Sequence, residues 1–454
     1  MSSTENLNPT GSASPVKPKA DTKTRTAIIS TFIAFIGAGL ISSTWASRIP
    51  QLKAALDMDP AAWGLVLFAM AVGSICALPV AGLIIRKIGE KLTVRFASIL
   101  AGSSLAAIGL GYIGGPVPVV IALFFLGFGV GAWDIAMNVQ GSAVEHRLGK
   151  AIMPKFHAGF SMGTVAGALI GAVLIAWNVS ITVNLVGIGA IVAIVVAIRV
   201  AGYLSPLDVS ELLDEDELAV SGVDPLVEDP FADPASTVVV DAEADEGQED
   251  SSAQPTSGSG SPYISLGQAW REPRTLMVGL FVMFFAFAEG SAIDWIGVAM
   301  VEDFGKSAAI GTLGLATFLA TMTISRWFGT NLLDRFGRVM VLRIQAVIAL
   351  AGVLLFVLSG NLIAMFIGVA LWGLGVSLGF PVGMSAGGDD QRNAAVRVSV
   401  VSSIGYVAFL GGPPLIGLLG QGIGVIWALM AIAAVLPIAF LLAGALRKPG
   451  KVAA

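Results

Sequence analysis

Three carboxylates stand where carboxylates are expensive. Asp134, Glu289 and Asp294 fall inside long apolar runs, and an acid at the centre of a membrane helix costs about 2.5–3.5 kcal/mol on insertion scales. Such a group needs a partner or a water-filled cavity. Apolar surroundings also favour the neutral form of a carboxyl, so an acid placed there can take up and release a proton. That is the chemistry proton coupling requires. In Trp133-Asp134-Ile-Ala-Met-Asn138 the asparagine lies one turn beyond the acid on the same helical face; a structural hydrogen bond is the alternative to a coupling role. His157, at the start of the next run, is either a partner of this acid or an interfacial residue. Glu289 is followed by Gly290, which can soften the helix as in the discontinuous helices of transport sites. Arg48 and Asp294 fall near one end of their runs. An ion pair between them would make a gate on the outer face, and ordinary interfacial placement of each is the competing reading. Trp133, Phe380, Tyr406 and Phe409 could stack on a ligand, although membrane aromatics also serve packing and interface anchoring.

These side chains must be positioned by helices. The chain is 55% hydrophobic and 13% charged, against about 25% charged in soluble domains. Six apolar runs lie between 27 and 202 and six between 273 and 447, each long enough to cross about 30 Å of hydrocarbon. They are numbered here as spans one to twelve. The expected architecture is an all-α polytopic membrane protein of 12 transmembrane helices in two pseudo-symmetric six-helix bundles. Residues 1–26 and 448–454 are expected as cytoplasmic tails. Residues 203–272 read as a disordered acidic linker, because sixteen Asp and Glu and no Lys or Arg lie between Gly202 and Trp270. Without that segment the net charge of −5 becomes 26 basic against 15 acidic residues. With the N-terminus inside, only Arg48, Lys53 and Lys306 fall outside and the other 23 Lys and Arg fall on the cytoplasmic side, the positive-inside bias. The lone Cys76 cannot form an internal disulfide and reads as a small packed thiol.

The halves echo one another. Ala38 and Trp45 match Ala288 and Trp295 at an offset of 250. Gly127-Phe-Gly129-Val matches Gly373-Leu-Gly375-Val, and Leu169-Ile-Gly171 matches Leu415-Ile-Gly417, both at 246. One match is cheap in a glycine-rich chain. A shared offset across three helix pairs implies a duplicated bundle.

The loop after span eight, Asp334-Arg335-Phe336-Gly337-Arg338, resembles the cytoplasmic loop signature of the major facilitator superfamily, G-x-x-x-D-R-x-G-R-R. The loop after span two, Gly82-Leu-Ile-Ile-Arg86-Lys87-Ile-Gly89-Glu90-Lys91, departs from it at Arg86 and Glu90. In the second copy Thr330 replaces the leading glycine. The resemblance implies a two-bundle fold working by alternating access, with these loops as a latch on the cytoplasmic face. Basic residues that merely fix topology are the plainer reading of Arg86 and Lys87. Ala46-Ser-Arg48-Ile-Pro50, the Trp133–Asn138 run and Asp294-Trp295 resemble an uncharacterised permease branch similar to the fucose/proton symporters. That likeness implies proton coupling at Asp134. Span five, Gly163-Thr-Val-Ala-Gly167-Ala, lacks the glycine-proline pattern of the superfamily's antiporters, which points to symport.

Enzyme chemistry finds no support: two histidines, no phosphate-binding loop and no clustered metal-ligand spacing. The expectation is a monomeric transporter of the cytoplasmic (inner) membrane, surrounded by lipid, with no nucleic-acid partner and no cofactor beyond the coupling proton. It takes up a small polar solute, sugar-like. A proton-driven exporter of amphipathic compounds and a non-transporting sensor are the alternatives.

Overall fold

A computed structural model describes residues 22–148, 152–204, 264–390 and 393–448. Helices and turns account for all of them, without a strand. The first bundle is built from Thr22–Ala55, Pro60–Gly111, Pro116–Leu148, Met153–Ala176 and Ile181–Arg199. The second comprises Pro273–Glu302, Ala308–Phe336, Arg338–Leu358, the pair Leu362–Val376 and Gly379–Gly387, Ala394–Ile423, and the pair Val425–Ala428 and Met430–Leu442.

Eleven of the described stretches are long and apolar enough to cross a membrane. One of them, Pro60–Gly114, has 55 residues. As a straight helix it would run for about 80 Å, more than twice the hydrocarbon thickness. It reverses instead. Gly127 lies against Met70 and Gly129 against Ala101, so two positions of one helix touch residues 31 apart in the other. The turn is at Gly89, with φ 76° and ψ 164°. Counting both arms gives twelve spans.

The duplication is visible in the backbone. Gly337 has φ 77° and ψ 158° at the equivalent turn of the second half, 248 residues after Gly89. Gly373 lies against Phe318 and Gly375 against Ala349, repeating the Gly127–Met70 and Gly129–Ala101 contacts at the same 248-residue shift of the partner. A Cβ at Gly127 or Gly373 would strike the facing carbonyl, the close helix approach that small residues permit in lipid. At the turn itself, L-residues pay roughly 1–2 kcal/mol for positive φ. Gly337→Ala is therefore expected to lower stability by about 1 kcal/mol. Gly187→Ala, in open space on span six, should cost nothing; denaturation of both in the same detergent makes the comparison.

Some boundaries differ from the sequence reading. Span one begins at Thr22, within the expected tail. Both described ends of the expected linker are ordered. Tyr203 and Leu204 are buried. Ser265 caps a short helix, Leu266–Ala269, by reciprocal hydrogen bonds with Gln268. Ile264 packs beside Ala269, Val400 and Ile404, and its N–H donates to Asn393 Oδ1 at 3.0 Å. Apolar residues at each end supply the burial that the acidic stretch lacks. Residues 205–263 lie outside the described ones. Cys76 is exposed on span two, not packed.

Candidate functional site: a cavity between the bundles

Spans two and eleven, five and eight, and one and seven meet across the two bundles. A cavity of about 1810 Å³ is lined by spans four, five, eight, nine, ten and twelve. Asp134 of span four, His157 of span five and Arg326 of span eight share its wall, with Phe160, Trp327 and Phe380. At one end the wall runs out to Asp334, Arg338 and Lys448, so the cavity opens at the face that carries the basic loops.

The far face is closed. Lys53 of span one donates to Glu302 of span seven at 2.6 Å, and Thr312 Oγ1 of span eight donates to the Ser47 carbonyl at 2.9 Å. Pro50 abuts Gly297, and Gly64 abuts Pro413. The expected Arg48–Asp294 gate is not formed. Arg48 is fully buried and donates to Asn184 Oδ1 at 2.7 Å and to Gln51 Oε1. Helix geometry explains this: Pro50, two positions and about 200° away, faces span seven, so Arg48 turns back into its own bundle. Asp294 stands eight residues short of the helix end at Glu302, about 12 Å deeper, and no described residue pairs with it. The ion pair across this face belongs to Lys53 and Glu302, which the sequence reading passed over.

Glu289 stands behind the cavity wall. Its two carboxylate oxygens accept from Arg326 Nη2 at 2.9 and 3.1 Å, while Arg326 Nε donates to the Ser377 carbonyl at 2.9 Å. Arg326 is a residue that sequence reasoning missed, by counting it with the loop cations. The signal was a single arginine within Ile310–Leu333, ten residues before the helix ends at Phe336. The expected softening at Gly290 is absent, and Pro273–Glu302 is one unbroken helix. Span ten is interrupted instead, between Val376 and Gly379, as span twelve is at Leu429. Carbonyls freed in span ten are taken up by side chains: Ser325 and Gln345 donate to the Leu374 carbonyl, and Arg326 to that of Ser377. Backbone at membrane depth requires such partners.

Asp134 has a lighter set of contacts. Asn138 Nδ2 donates to its carbonyl at 2.8 Å and to Oδ1 at 3.3 Å. The carboxyl itself is exposed to the cavity. His157 lies nearer the mouth, edge-on to Phe35 with ring centroids 5.2 Å apart. Trp133 does not reach the cavity. It is fully buried in the first bundle, against Gly37, because its position on span four points away from Asp134's. Phe380, Phe409 and Tyr406 form a cluster with centroids 6.3–6.4 Å apart, and Phe380 is the member at the cavity wall.

The family model described as Major Facilitator Superfamily matches residues 27–296, more than half of the chain. This chain belongs to that superfamily. Among relatives, an uncharacterised MFS-type transporter of Yersinia pestis is 27% identical over 394 residues, covering 87% of this chain and 88% of the relative. The membrane protein MosC of Rhizobium meliloti is 25% identical over 405 residues, 87% and 84% of the two chains. Among solved structures, the nucleoside transporter NupG aligns at a TM-score of 0.67 with 12% identity over 95% of this chain and 100% of its own. The Escherichia coli fucose:proton symporter FucP aligns at 0.55 with 18% identity, over 94% and 100%. A bacterial homologue of the lysosomal transporter Spinster, inward-facing and unoccupied, aligns at 0.66 with 14% identity, over 96% and 100%. At these identities the structures share the fold.

The superfamily's loop signature sits at the cavity mouth. Arg338 donates to Asp389 Oδ1 at 2.6 Å and to Ser385 at 3.0 Å, and Arg274 donates to Asp389 Oδ2 at 2.8 Å. One acid therefore ties span seven, the loop and span ten together. Asp334 is exposed and pairs with no described residue, and Arg335 lies 5.3 Å over the Phe336 ring. In the first half Arg86 and Lys87 are exposed and likewise pair with no described residue. Beside this network Arg397 donates to both oxygens of Glu272 at 2.7 and 2.8 Å. This pairing holds the Glu272 carboxyl below its ordinary range. A depressed carboxyl stabilises the fold above the ordinary glutamate range and stops doing so as pH falls through the depressed value. Wild type should therefore hold a small Tm advantage over Glu272→Gln at neutral pH, worth about 0.5 kcal/mol for a partly exposed pair. That advantage should shrink progressively in Tm scans as pH falls below about 4.

Proposed function

We propose that this superfamily transporter takes up a small polar organic solute, sugar-like, together with a proton, by alternating access across the cytoplasmic membrane. Its basic face, with both termini, is cytoplasmic, and the chain works as a monomer. The observation that carries the reading is Asp134: a carboxyl at cavity depth, reachable from one face, with an asparagine beside it and no described cation paired with it. Glu289 already offsets the charge of Arg326. Protonating Asp134 therefore leaves the deep part of the cavity near neutrality, which suits an uncharged, hydroxyl-rich solute. FucP, a fucose:proton symporter, and NupG, a nucleoside transporter, share the fold; fucose and nucleosides belong to that chemical class. Closure at Lys53–Glu302 and opening at Arg338 correspond to an inward-open state.

The test is solute-driven proton flux in proteoliposomes loaded with a pH dye, screening sugars, nucleosides, organic acids and cationic drugs. Proton entry with one polar class, lost in Asp134→Asn, is the expected result. Flux undiminished in that variant would refute the site assignment. A second reading, proton-driven export of amphipathic compounds, draws on the aromatic wall of Phe160, Trp327, Phe336, Phe380 and Phe440. Proton flux driven by cationic drugs in the opposite sense would favour it.

A further inference from the structure

At the basic face of the second bundle, acids and cations are sorted unevenly. Asp389 takes Arg274 and Arg338, while Glu272 and Asp390 take Arg397. No described acid pairs with Arg343, Arg447 or Lys448. Arg343 is held without being neutralised: its Nε donates to the Phe440 carbonyl at 3.3 Å, and its guanidinium lies 5.1 Å over the Phe440 ring. All three cations line the cavity wall, Arg343 on span nine and Arg447 and Lys448 just beyond span twelve, and Arg343 reaches within 3.7 Å of the Cβ position of Gly444.

The wall beside them is apolar. Met340, Ile344 and Val347 recur at i, i+4 and i+7, one stripe of span nine, and each is about half exposed, with the exposed Trp327 of span eight lining the same cavity. Trp327 lies nine residues from the helix end at Phe336, about 13 Å in depth. That is close to the half-thickness of the hydrocarbon layer, about 15 Å. The groove is therefore one leaflet deep, apolar along its length and cationic at its mouth.

We propose that this groove binds an anionic glycerophospholipid of the basic-face leaflet. The phosphate sits among Arg343, Arg447 and Lys448, and one acyl chain lies along Met340, Ile344 and Val347 against Trp327. Charge complementarity selects the headgroup, since phosphatidylcholine offers the same chains with its phosphate offset by choline. The groove is a side branch of the cavity described above, but its lipid occupancy is read by binding and does not depend on the transport reading.

Native mass spectrometry of the full-length protein in detergent tests it, with dioleoyl phosphatidylglycerol, dioleoyl phosphatidylcholine and inorganic phosphate as probes. Each cation near an anionic headgroup is worth about fivefold in affinity. Lys448→Gln should thus weaken phosphatidylglycerol binding about fivefold, and Arg343→Gln with Lys448→Gln about twenty-five-fold, leaving phosphatidylcholine unchanged. Ile344→Asn should weaken both lipids. Lys448 lies at the end of the described chain, so its variant reports even if Arg343→Gln misfolds. Equal binding of the two lipids to wild type, or selectivity kept in Lys448→Gln, would overturn the proposal. So would displacement of phosphatidylglycerol by equimolar phosphate. Selectivity that emerges only after deletion of residues 205–260 would assign the cations to the chain's own acidic segment instead.

Discussion

Replacing Arg326 by Met should lower the stability of this transporter by about 3 kcal/mol, the lower end of the range for breaking a buried ion pair by removing one partner. The side chains are 30% and 16% exposed, to a cavity open on one face, which is why the lower end applies. The loss comes from the partner left behind. Glu289 would stand at membrane depth without its two hydrogen bonds, and the Ser377 carbonyl at the break in span ten would lose its donor. Removing both charges should hurt less: Glu289→Gln with Arg326→Met is expected to recover more than half of the loss, because no lone charge remains. SDS-induced unfolding in mixed micelles reads both. A double variant as unstable as Arg326→Met would show that packing, not charge, makes the contribution.

Asp134→Asn should collapse solute-driven proton flux about a hundredfold while leaving solute binding within a few-fold. The bound comes from the membrane itself. A carboxylate at the centre of a helix costs about 2.5–3.5 kcal/mol, so neutralising it can shift the balance between open and closed states by roughly a hundredfold, and by no more than a few hundredfold. Asparagine imitates the protonated acid permanently. Solute exchange without a proton gradient should survive, and counterflow measures it. Glu289→Gln makes a second comparison: its carboxylate is committed to Arg326, so it should cost stability more than coupling. The reverse pattern, with coupling lost in Glu289→Gln and kept in Asp134→Asn, would transfer the proton site to the second bundle.

The duplicated plan was legible because it repeats. Offsets of 246 to 250 between short strings anticipated contacts that the structure places at matching positions, Met70 with Gly127 and Phe318 with Gly373. Depth was legible as well, since residue count along a helix measures it, and Asp134 and His157 do reach the cavity wall. Azimuth was not. Trp133 and Asp134 are neighbours in sequence, yet about 100° of helix rotation puts one in the core and the other in the cavity. Arg48 and Lys53 read as similar outer cations, and only the packing of span one against span seven decides which meets an acid. The break in span ten was hidden for a related reason. Gly290 and the 373–379 region both contain glycine in apolar sequence, and the helix yields where Ser325, Arg326 and Gln345 of other spans can satisfy its carbonyls.

That break has no counterpart in the first half. Gly131 and Ala132 stand at the positions of span four equivalent to Ser377 and Leu378, and Pro116–Leu148 runs through them without interruption. Two copies of one design have thus acquired different mechanical compliance. The first copy offers a stiff wall that holds its acid at fixed depth. The second carries a joint midway along its central helix, cross-braced by an arginine that also touches the neighbouring acid. Strain generated when a solute fills the space would be absorbed on the jointed side, so the machine has an anvil and a jaw where its ancestry supplied two equal halves.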